Sequence, residues 1–555
     1  MAPRYSNMLA WTIMCAEGPD LGLYVNAPKC GRFWPGHKGG IPSPHSLPPD
    51  SFVAFSVQDR ESWSRIPILT EGVVVLGTPL SASGTDFVVS TLEANTLIPF
   101  FRNLDRLVSV LEGHPQIQLC LIRLSLGLPK VRHLLATIPP SMIQGSLMAL
   151  DRKKRETMGV ILDTIPSPFT ATVWSLPPGM AGFGLGSAVI EAPPAFVATA
   201  FQTRKWRQLI HRESANVVRG LAEAYSMLQD ALPPAPIDLG KTRFIEFPDV
   251  ISVQTILQKP SPRSSFNTLS YSKQLSSLFE ASNMRQRAVL LAGIVPGART
   301  ALTLTPSSVE KTLIPCDSFR RLAAYAAAVP IFDSTLKAPL ICAACGILSD
   351  VWGDHVAGCS RNGGTSARHD ALRDTNERQL KWAGFKVHHE PKGLVQGYLQ
   401  RPADLLVRSF NRKGDAWIDH TVVGPFSQTY LAGSASVHAY ALSKKESSKR
   451  DGADQACRDS GAVYFPFAAT TVGGLGESAR QVLKIIAKRS AAKFRIREAE
   501  CYQAFMREVA ASIHRGNNKN WELQAISSNP FPGGGRAKAQ SFVRGGRWSD
   551  RRRSS

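Results

Sequence analysis

The chain has no uninterrupted apolar run of about 18 residues, so no transmembrane helix is expected. Its first residues lack a basic stretch followed by a continuous apolar core, so no secretory signal peptide is expected. Cysteine is sparse, with nine residues in 555. Six of them (Cys15, Cys30, Cys120, Cys316, Cys457 and Cys501) are scattered. That pattern excludes a secreted disulfide framework and fits a reducing compartment, nuclear or cytoplasmic. No internal repeat recurs at a fixed period, which argues against a solenoid. Acidic residues are also short, with 43 Asp and Glu against 65 Lys and Arg and a formal net charge of +22. Such an excess favours a polyanion partner, because neutralising phosphates releases condensed counterions. A basic, merely solvated surface is the alternative. Hydrophobic residues make up 43% of the chain, enough to bury cores in roughly two to four domains.

The N-terminal part alternates strand-like segments with loops. Gly22-Leu23-Tyr24-Val25-Asn26 reads as a short strand running into Lys29-Cys30, and Gly72 to Pro79 as a β-branched strand closed by Gly and Pro. From Thr91 to Leu150 apolar residues recur, at first with helical spacing: Leu97, Phe100, Phe101, Leu104, Leu107, Val108, Leu111. Trp174 to Gly186 is apolar and glycine-rich, and helical patterns return at Ala195 to Leu228, Asn267 to Ala301 and Ser307 to Ala328. Pro233 to Pro262 is proline-rich and reads as a linker or extended wrap. The last residues, Phe531 to Ser555, carry Arg544, Arg547, Arg551, Arg552 and Arg553 among Pro and Gly. Such a composition cannot bury a core and is expected to be disordered. It suits sequence-tolerant contact with nucleic acid, or serves as a solubilising tail.

Cys342 and Cys345 have the two-residue separation of a knuckle turn that aims both sulfurs at one ion, and His355 and Cys359 follow with three residues between them. Three thiolates and an imidazole complete a closed tetrahedral zinc site. A closed site is structural rather than catalytic, and much of the module's folding energy would come from the metal.

The next residues have the order of a two-layer nuclease core. Ala367 to Trp382 reads as a helix ended by Gly384, then Phe385 to Glu390, Pro402 to Val407 and Ala416 to Val423 as strands. Ser434 to Cys457 reads as a second helix and Ala462 to Phe467 as a last strand. Asp404 and Asp419 would then sit at one end of adjacent strands and share Mg²⁺ or Mn²⁺, which suits oxygen ligands. Glu377 on the first helix would add a third carboxylate or orient a ligand. A lysine is wanted to position the attacking water or neutralise developing charge. Thr421 occupies the place two residues after Asp419, so Lys444, Lys445 or Lys449 on the second helix must reach the site.

With these residues in hand, the chain resembles the C-terminal half of a non-LTR retrotransposon reverse transcriptase polyprotein that carries a CCHC knuckle and a restriction-like endonuclease of the PD-(D/E)xK type. The resemblance rests on Cys342/Cys345/His355/Cys359, Arg368-His369-Asp370, Arg401-Pro402-Ala403-Asp404, Asp419-His420-Thr421-Val422, Phe465-Pro466-Phe467 and Gly473-Gly474. Ala403 stands where the family commonly has Pro before the Asp, and Arg450 follows Lys449 where a Tyr is common. Upstream, Gly22 to Cys30 resembles the segment after a polymerase's catalytic aspartates, with Lys29 as the palm lysine, and Gly72 to Pro79 the primer-grip hairpin. The Tyr-x-Asp-Asp box is expected before residue 1.

The resemblance implies a multi-domain α/β and α chain. It places a partial palm at 1–90, a thumb-like helical subdomain at 91–190, a helical and proline-containing linker at 191–335 and a zinc knuckle at 336–365. An α/β nuclease follows at 366–495, then a helix and basic tail at 496–555. It implies nicking of target DNA to prime reverse transcription, with element RNA as a second partner and no membrane. Arg368, His369 and Arg401, together with Lys29 and the tail arginines, are the expected nucleic-acid contacts. The rival expectation is a nuclease-dead, zinc-containing nucleic-acid-binding protein, or a retroelement pseudogene product.

Overall fold

A computed structural model describes residues 32–33, 68–69, 73–75, 78–80, 85–203, 215–231, 256–308, 312–332, 340–389, 403–411 and 414–527. The fold mixes a large helical part with one four-stranded α/β layer. In the N-terminal part β1 (Arg32–Phe33) pairs in parallel with β2 (Ile68–Leu69). The β-branched run forms a hairpin of β3 (Val73–Val75) and β4 (Thr78–Leu80).

Helical spacing produces buried stripes in the next part. Helix α1 (Ile98–Val110) buries Phe100, Leu104 and Leu107, one face at i, i+4, i+7. It shares a core with α2 (Leu128–Thr137), α3 (Gln144–Leu162) and α4 (Ala188–Gln202). The glycine-rich stretch is part of that core, with Trp174 and Phe183 fully buried. Its chain doubles back, so the amides of Phe183, Leu185 and Gly186 donate to the carbonyls of Val173, Trp174 and Ser175.

Within the expected linker, α5 (Pro262–Glu280), α6 (Met284–Gly293) and α7 (Cys316–Ala326) send Tyr271, Leu290, Leu291, Phe319 and Leu322 into the same core. These helices are therefore core rather than tether, because their apolar faces are buried against the preceding helices and in two further clusters. The proline-rich residues 233–255 lie outside the described residues.

The α/β part follows the expected order. Helix α8 (Asp354–Gly358) is a single turn, and α9 (Gly363–Trp382) precedes β5 (Lys386–His389), β6 (Leu405–Asn411) and β7 (Gly414–Val423). Helix α10 (Tyr440–Asp459) then leads to β8 (Val463–Thr470). The sheet order is β5-β6-β7-β8; the first two pairings are antiparallel and β7 with β8 is parallel. A parallel pair needs a crossover, and α10 supplies it across one face. On the other face α9 and α11 (Glu477–Phe494) pack on Leu405, Val407, Ile418, Phe465 and Phe467. The α10 face instead buries Leu406, Trp417 and Tyr464 against Ala453 and Cys457, the alternation that the two-residue period of a strand requires.

The last helix, α12 (Glu498–Ser527), runs along α9 and α11 and also touches α7 and α8. No helix among the described residues is long and apolar enough to cross a membrane.

Phe467 has no exposed surface and sits between the sheet and its helices. Replacing it with Ala is expected to lower unfolding free energy by about 3–5 kcal/mol, the usual cost of deleting a buried ring. Urea denaturation followed by circular dichroism checks this, and a loss under 1 kcal/mol contradicts the packing described.

Candidate functional site

The four zinc-type ligands converge. Cys342, Cys345, His355 and Cys359 place their ligand atoms within 4.8 Å of one another. The Cys342 and Cys359 sulfurs are 3.9 Å apart, close to the ~3.8 Å edge of a tetrahedron with metal–sulfur bonds of ~2.3 Å. Cys345 Sγ lies 3.2 Å from His355 Nε2. The turn is built by backbone: Gly346 N donates to Cys342 O and Cys342 N to Ile347 O. Gly346 takes φ +73°, which a side chain would strain. The amide of Ile347 draws the Cys345 thiol down to about 7, toward the thiolate a metal needs. The donor set thus fits a metal such as zinc, with all four tetrahedral positions filled by protein.

The module is fastened to the rest of the protein through polar contacts. Asp350 caps α8 by accepting from the amides of Asp354 and His355, both at 2.8 Å. Asp354 is itself buried and takes two hydrogen bonds from Arg285 of α6, at 2.7 and 3.0 Å. From α12, Trp521 Nε1 donates to Gly353 O and Gln524 Nε2 donates to Ile341 O. A Cβ on Gly353 would come 2.8 Å from that indole nitrogen, so the close approach requires glycine.

Arg368 is part of this fastening. Expected as a nucleic-acid contact, it is 3% exposed, and its Nη1 donates to Ala357 O of α8 and to Asn517 Oδ1 of α12. A guanidinium enclosed in this way is not available to phosphates, and the expectation is corrected. The residue anchors three helices.

The neighbouring His369 faces the sheet. The register pairs Leu405 with Ile418, which brings Asp404, the residue just before β6, to the level of Asp419 in β7. Asp404 Oδ2 accepts from the His420 amide at 2.7 Å and lies 3.2 Å from both His420 Nδ1 and His369 Nε2. His369 Nε2 also lies 3.0 Å from His420 O. Burial alone would raise the Asp404 carboxyl, but the two histidines outweigh it and hold it well below the usual carboxylate range. The hydrogen bond to Asp404 in turn raises His369, against its burial. His420 goes the other way: it is fully buried, and desolvation lowers it in spite of Asp404. Its Nε2 lies 3.2 Å from Asn376 Oδ1, while the Nδ2 of that amide has no partner among the described residues. Turning the amide over would let Asn376 donate to Nε2, which matches a neutral His420 with its proton on Nδ1.

Asp419 is engaged from the other side. Its Oδ2 accepts from Tyr464 Oη and from Lys449 Nζ, both at 2.7 Å. Successive residues of β7 point to opposite faces, so Asp419 looks toward α10 and His420 toward α9. Burial, followed by the charge of Asp419, pushes the Tyr464 phenol far up, so it remains a donor.

Of the three candidate lysines, the fold brings Lys449 to the acids. Lys444 stands over the Tyr440 ring, and Lys445 has no carboxylate partner among the described residues. Glu377, on α9, faces β5 instead. It pairs with Lys381 at 2.6 Å and His389 at 2.9 Å and clusters with Asp374 and His389, not with Asp404 and Asp419. Burial raises the Glu377 carboxyl, and its two basic partners more than reverse that. Lys29, Arg401, Arg544, Arg547, Arg551, Arg552 and Arg553 lie outside the described residues.

Sequence reading missed His420, Asn376 and Tyr464 as members of this row. Period-two alternation around Asp419 would have put His420 on the opposite face. Nothing local marks Asn376 or Tyr464. No family model matches the chain, and no curated protein is significantly similar to it in sequence.

Zinc-replete protein is expected to hold one zinc per chain by elemental analysis. Cys345→Ala should lose it and expose Trp521, seen as a red shift in fluorescence; full zinc retention contradicts the site. A second expectation concerns pH in metal-free protein. Asp404 sits below its ordinary 3.8, so its contribution to stability is present above about pH 4 and is lost as pH falls through the lowered value. His369 sits above its ordinary 6.5, so its contribution is present below about pH 6.5 and is lost as pH rises through the raised value. Asp404→Asn should flatten both limbs of a stability-versus-pH curve measured by urea titration, and an unchanged curve would rule out the coupling.

Proposed function

We propose that this chain is the nuclease-bearing part of a non-LTR retroelement protein and hydrolyses phosphodiester bonds in DNA with a divalent metal. The single observation carrying the reading is the register of Asp404 against Asp419 with Lys449 ion-paired to the second acid. The helix, three strands, helix and strand that frame this row support it, as does the fused Cys₃His module.

Mg²⁺ or Mn²⁺ held by Asp404 and Asp419 would polarise the scissile phosphate and supply a nucleophilic water. The chain's own groups do the rest. Lys449 reaches from α10 to the acid row and can neutralise the phosphoryl oxygens as charge develops. His369, raised by Asp404 and one-third exposed, can hold a proton near a departing oxygen. Neutral His420 fixes Asp404 from behind by its amide and ring. The cut would leave a 3′-hydroxyl on target DNA, the end from which element RNA is copied in proteins of this kind.

A second reading has its own observation. Each acid already has its own basic partner, His369 for Asp404 and Lys449 for Asp419, on opposite sides of the sheet end. That arrangement also suits a zinc-containing nucleic-acid-binding protein whose acids are structural.

The test is nicking of supercoiled plasmid with Mg²⁺ or Mn²⁺. Asp404→Ala and Asp419→Ala should each remove activity by at least about a hundredfold, and Lys449→Ala by about 10²-fold. Activity that survives both Asp substitutions sinks the nuclease reading. Absence of cutting in the wild type together with salt-dependent DNA binding favours the second.

A further inference from the structure

Away from the acid row, the C-terminal ends of α9 and α11 meet in a patch that the nuclease reading does not use. Trp382 and Phe494 stack there with ring centroids 4.1 Å apart and planes inclined by 24°. Both rings remain open to solvent, Trp382 at 43% and Phe494 at 39%, with Ile496 at 44% beside them. Phe505 braces the tryptophan edge-on at 5.7 Å. Lys493 donates to Trp382 O at 2.8 Å and stands 4.9 Å from the Phe494 centroid, so the pair is held from two sides. Leaving two large rings exposed forgoes their burial, which calls for a partner.

The surrounding charge identifies the partner's chemistry. Lys488, Arg489, Lys493 and Arg495 are exposed, and none is paired with a carboxylate among the described residues. The cations that do have acids, Lys381 with Glu377 and Arg497 with Glu500, lie at the margins. Arg489 donates to Gly384 O and lies over the Phe385 ring, and Lys493 donates to Trp382 O, but neither contact neutralises the charge. An apolar protein surface would gain nothing from four cations without a carboxylate, whereas a phosphate backbone releases counterions at each one. Flat rings set at near-stacking distance and flanked by positive charge are the recognition chemistry of unpaired bases, since every base has a π-face. A closed duplex has its bases stacked inside and would use the cations alone.

We propose that Trp382 and Phe494 form a stacking platform for an unpaired nucleic-acid strand, with Lys488, Arg489, Lys493 and Arg495 tracking its backbone. The proposal rests on the nucleic-acid side of the preceding reading but not on cleavage. Its placement suits a strand that also reaches the acids. Trp382 lies six residues along α9 from Asn376, about 9 Å at 1.5 Å per residue.

The test uses the zinc-loaded full chain and two fluorescein-labelled probes, oligo(dT) and a blunt duplex with the same number of phosphates. Fluorescence anisotropy is read at several salt concentrations. Trp382→Ala and Phe494→Ala should each weaken oligo(dT) binding about 5- to 100-fold with the salt slope unchanged and duplex binding little altered. Trp382→Phe should recover most of the affinity, which separates stacking from a folding defect. Lys488→Gln with Arg495→Gln should instead lower the oligo(dT) salt slope by about 1.4. All binding is read with no Mg²⁺ or Mn²⁺ added, and nicking is assayed separately on the same variants, so failure to cut and failure to stack are read separately. Wild-type affinity in Trp382→Ala overturns the proposal. So does an equal loss on both probes, or a concentration-dependent dimer that Trp382→Ala dissolves without changing DNA affinity.

Discussion

Arg368 is the interaction on which the C-terminal half of this protein depends. Its buried guanidinium ties α9 to the metal module through Ala357 O and to the last helix through Asn517. A guanidinium has no neutral form to fall back on, so its burial leans on the two acceptors that Nη1 finds, while Nε has no partner among the described residues. Two neighbouring helices, α8 and α9, are thereby fixed to the distant α12 around one side chain. Its neighbour His369 points to the sheet and meets Asp404. One turn of helix therefore links the cysteine cluster to the acid row.

The acid row is shaped by which charges are allowed to remain. Asp404 stays ionised despite burial because two histidines face it, and they are not equivalent. His369 is partly open and favours its charged form, while the enclosed His420 favours its neutral form. Environments that push like groups apart are what acid–base chemistry uses. Asp419 has a different shell, with a phenol whose ionisation burial and the Asp419 charge oppose and a lysine that reaches the sheet from the crossover helix. A divalent ion bound here would compete with His369 and Lys449 for the same oxygens, so metal affinity and the position of those two cations are linked quantities.

The helical half shows where reading by composition fails. Proline-containing residues between 191 and 335 read as a tether, yet Leu290, Phe319 and Leu322 lie in the core of the preceding helices. Local patterning shows that a helix has an apolar face but not which surface will cover it. The same limit hid α12: a helix after the α/β layer was legible, but Trp521 and Gln524 docking on the Cys/His module was not.

The sequence by itself determined the ligand spacing of Cys342, Cys345, His355 and Cys359, and the order of helices and strands in the α/β layer. Each follows from local rules: the reach of a turn, and the periods of 3.6 and 2. Tertiary structure alone decided which lysine meets the acids, because Lys445 and Lys449 lie one helical turn apart and only docking of α10 fixes the one that reaches Asp419. It also moved Arg368 from an expected surface contact to a buried anchor, and it set Glu377 with His389 instead of with the aspartates. Long, flexible side chains can serve several partners from one backbone position, and the choice among those partners is made by packing between distant elements.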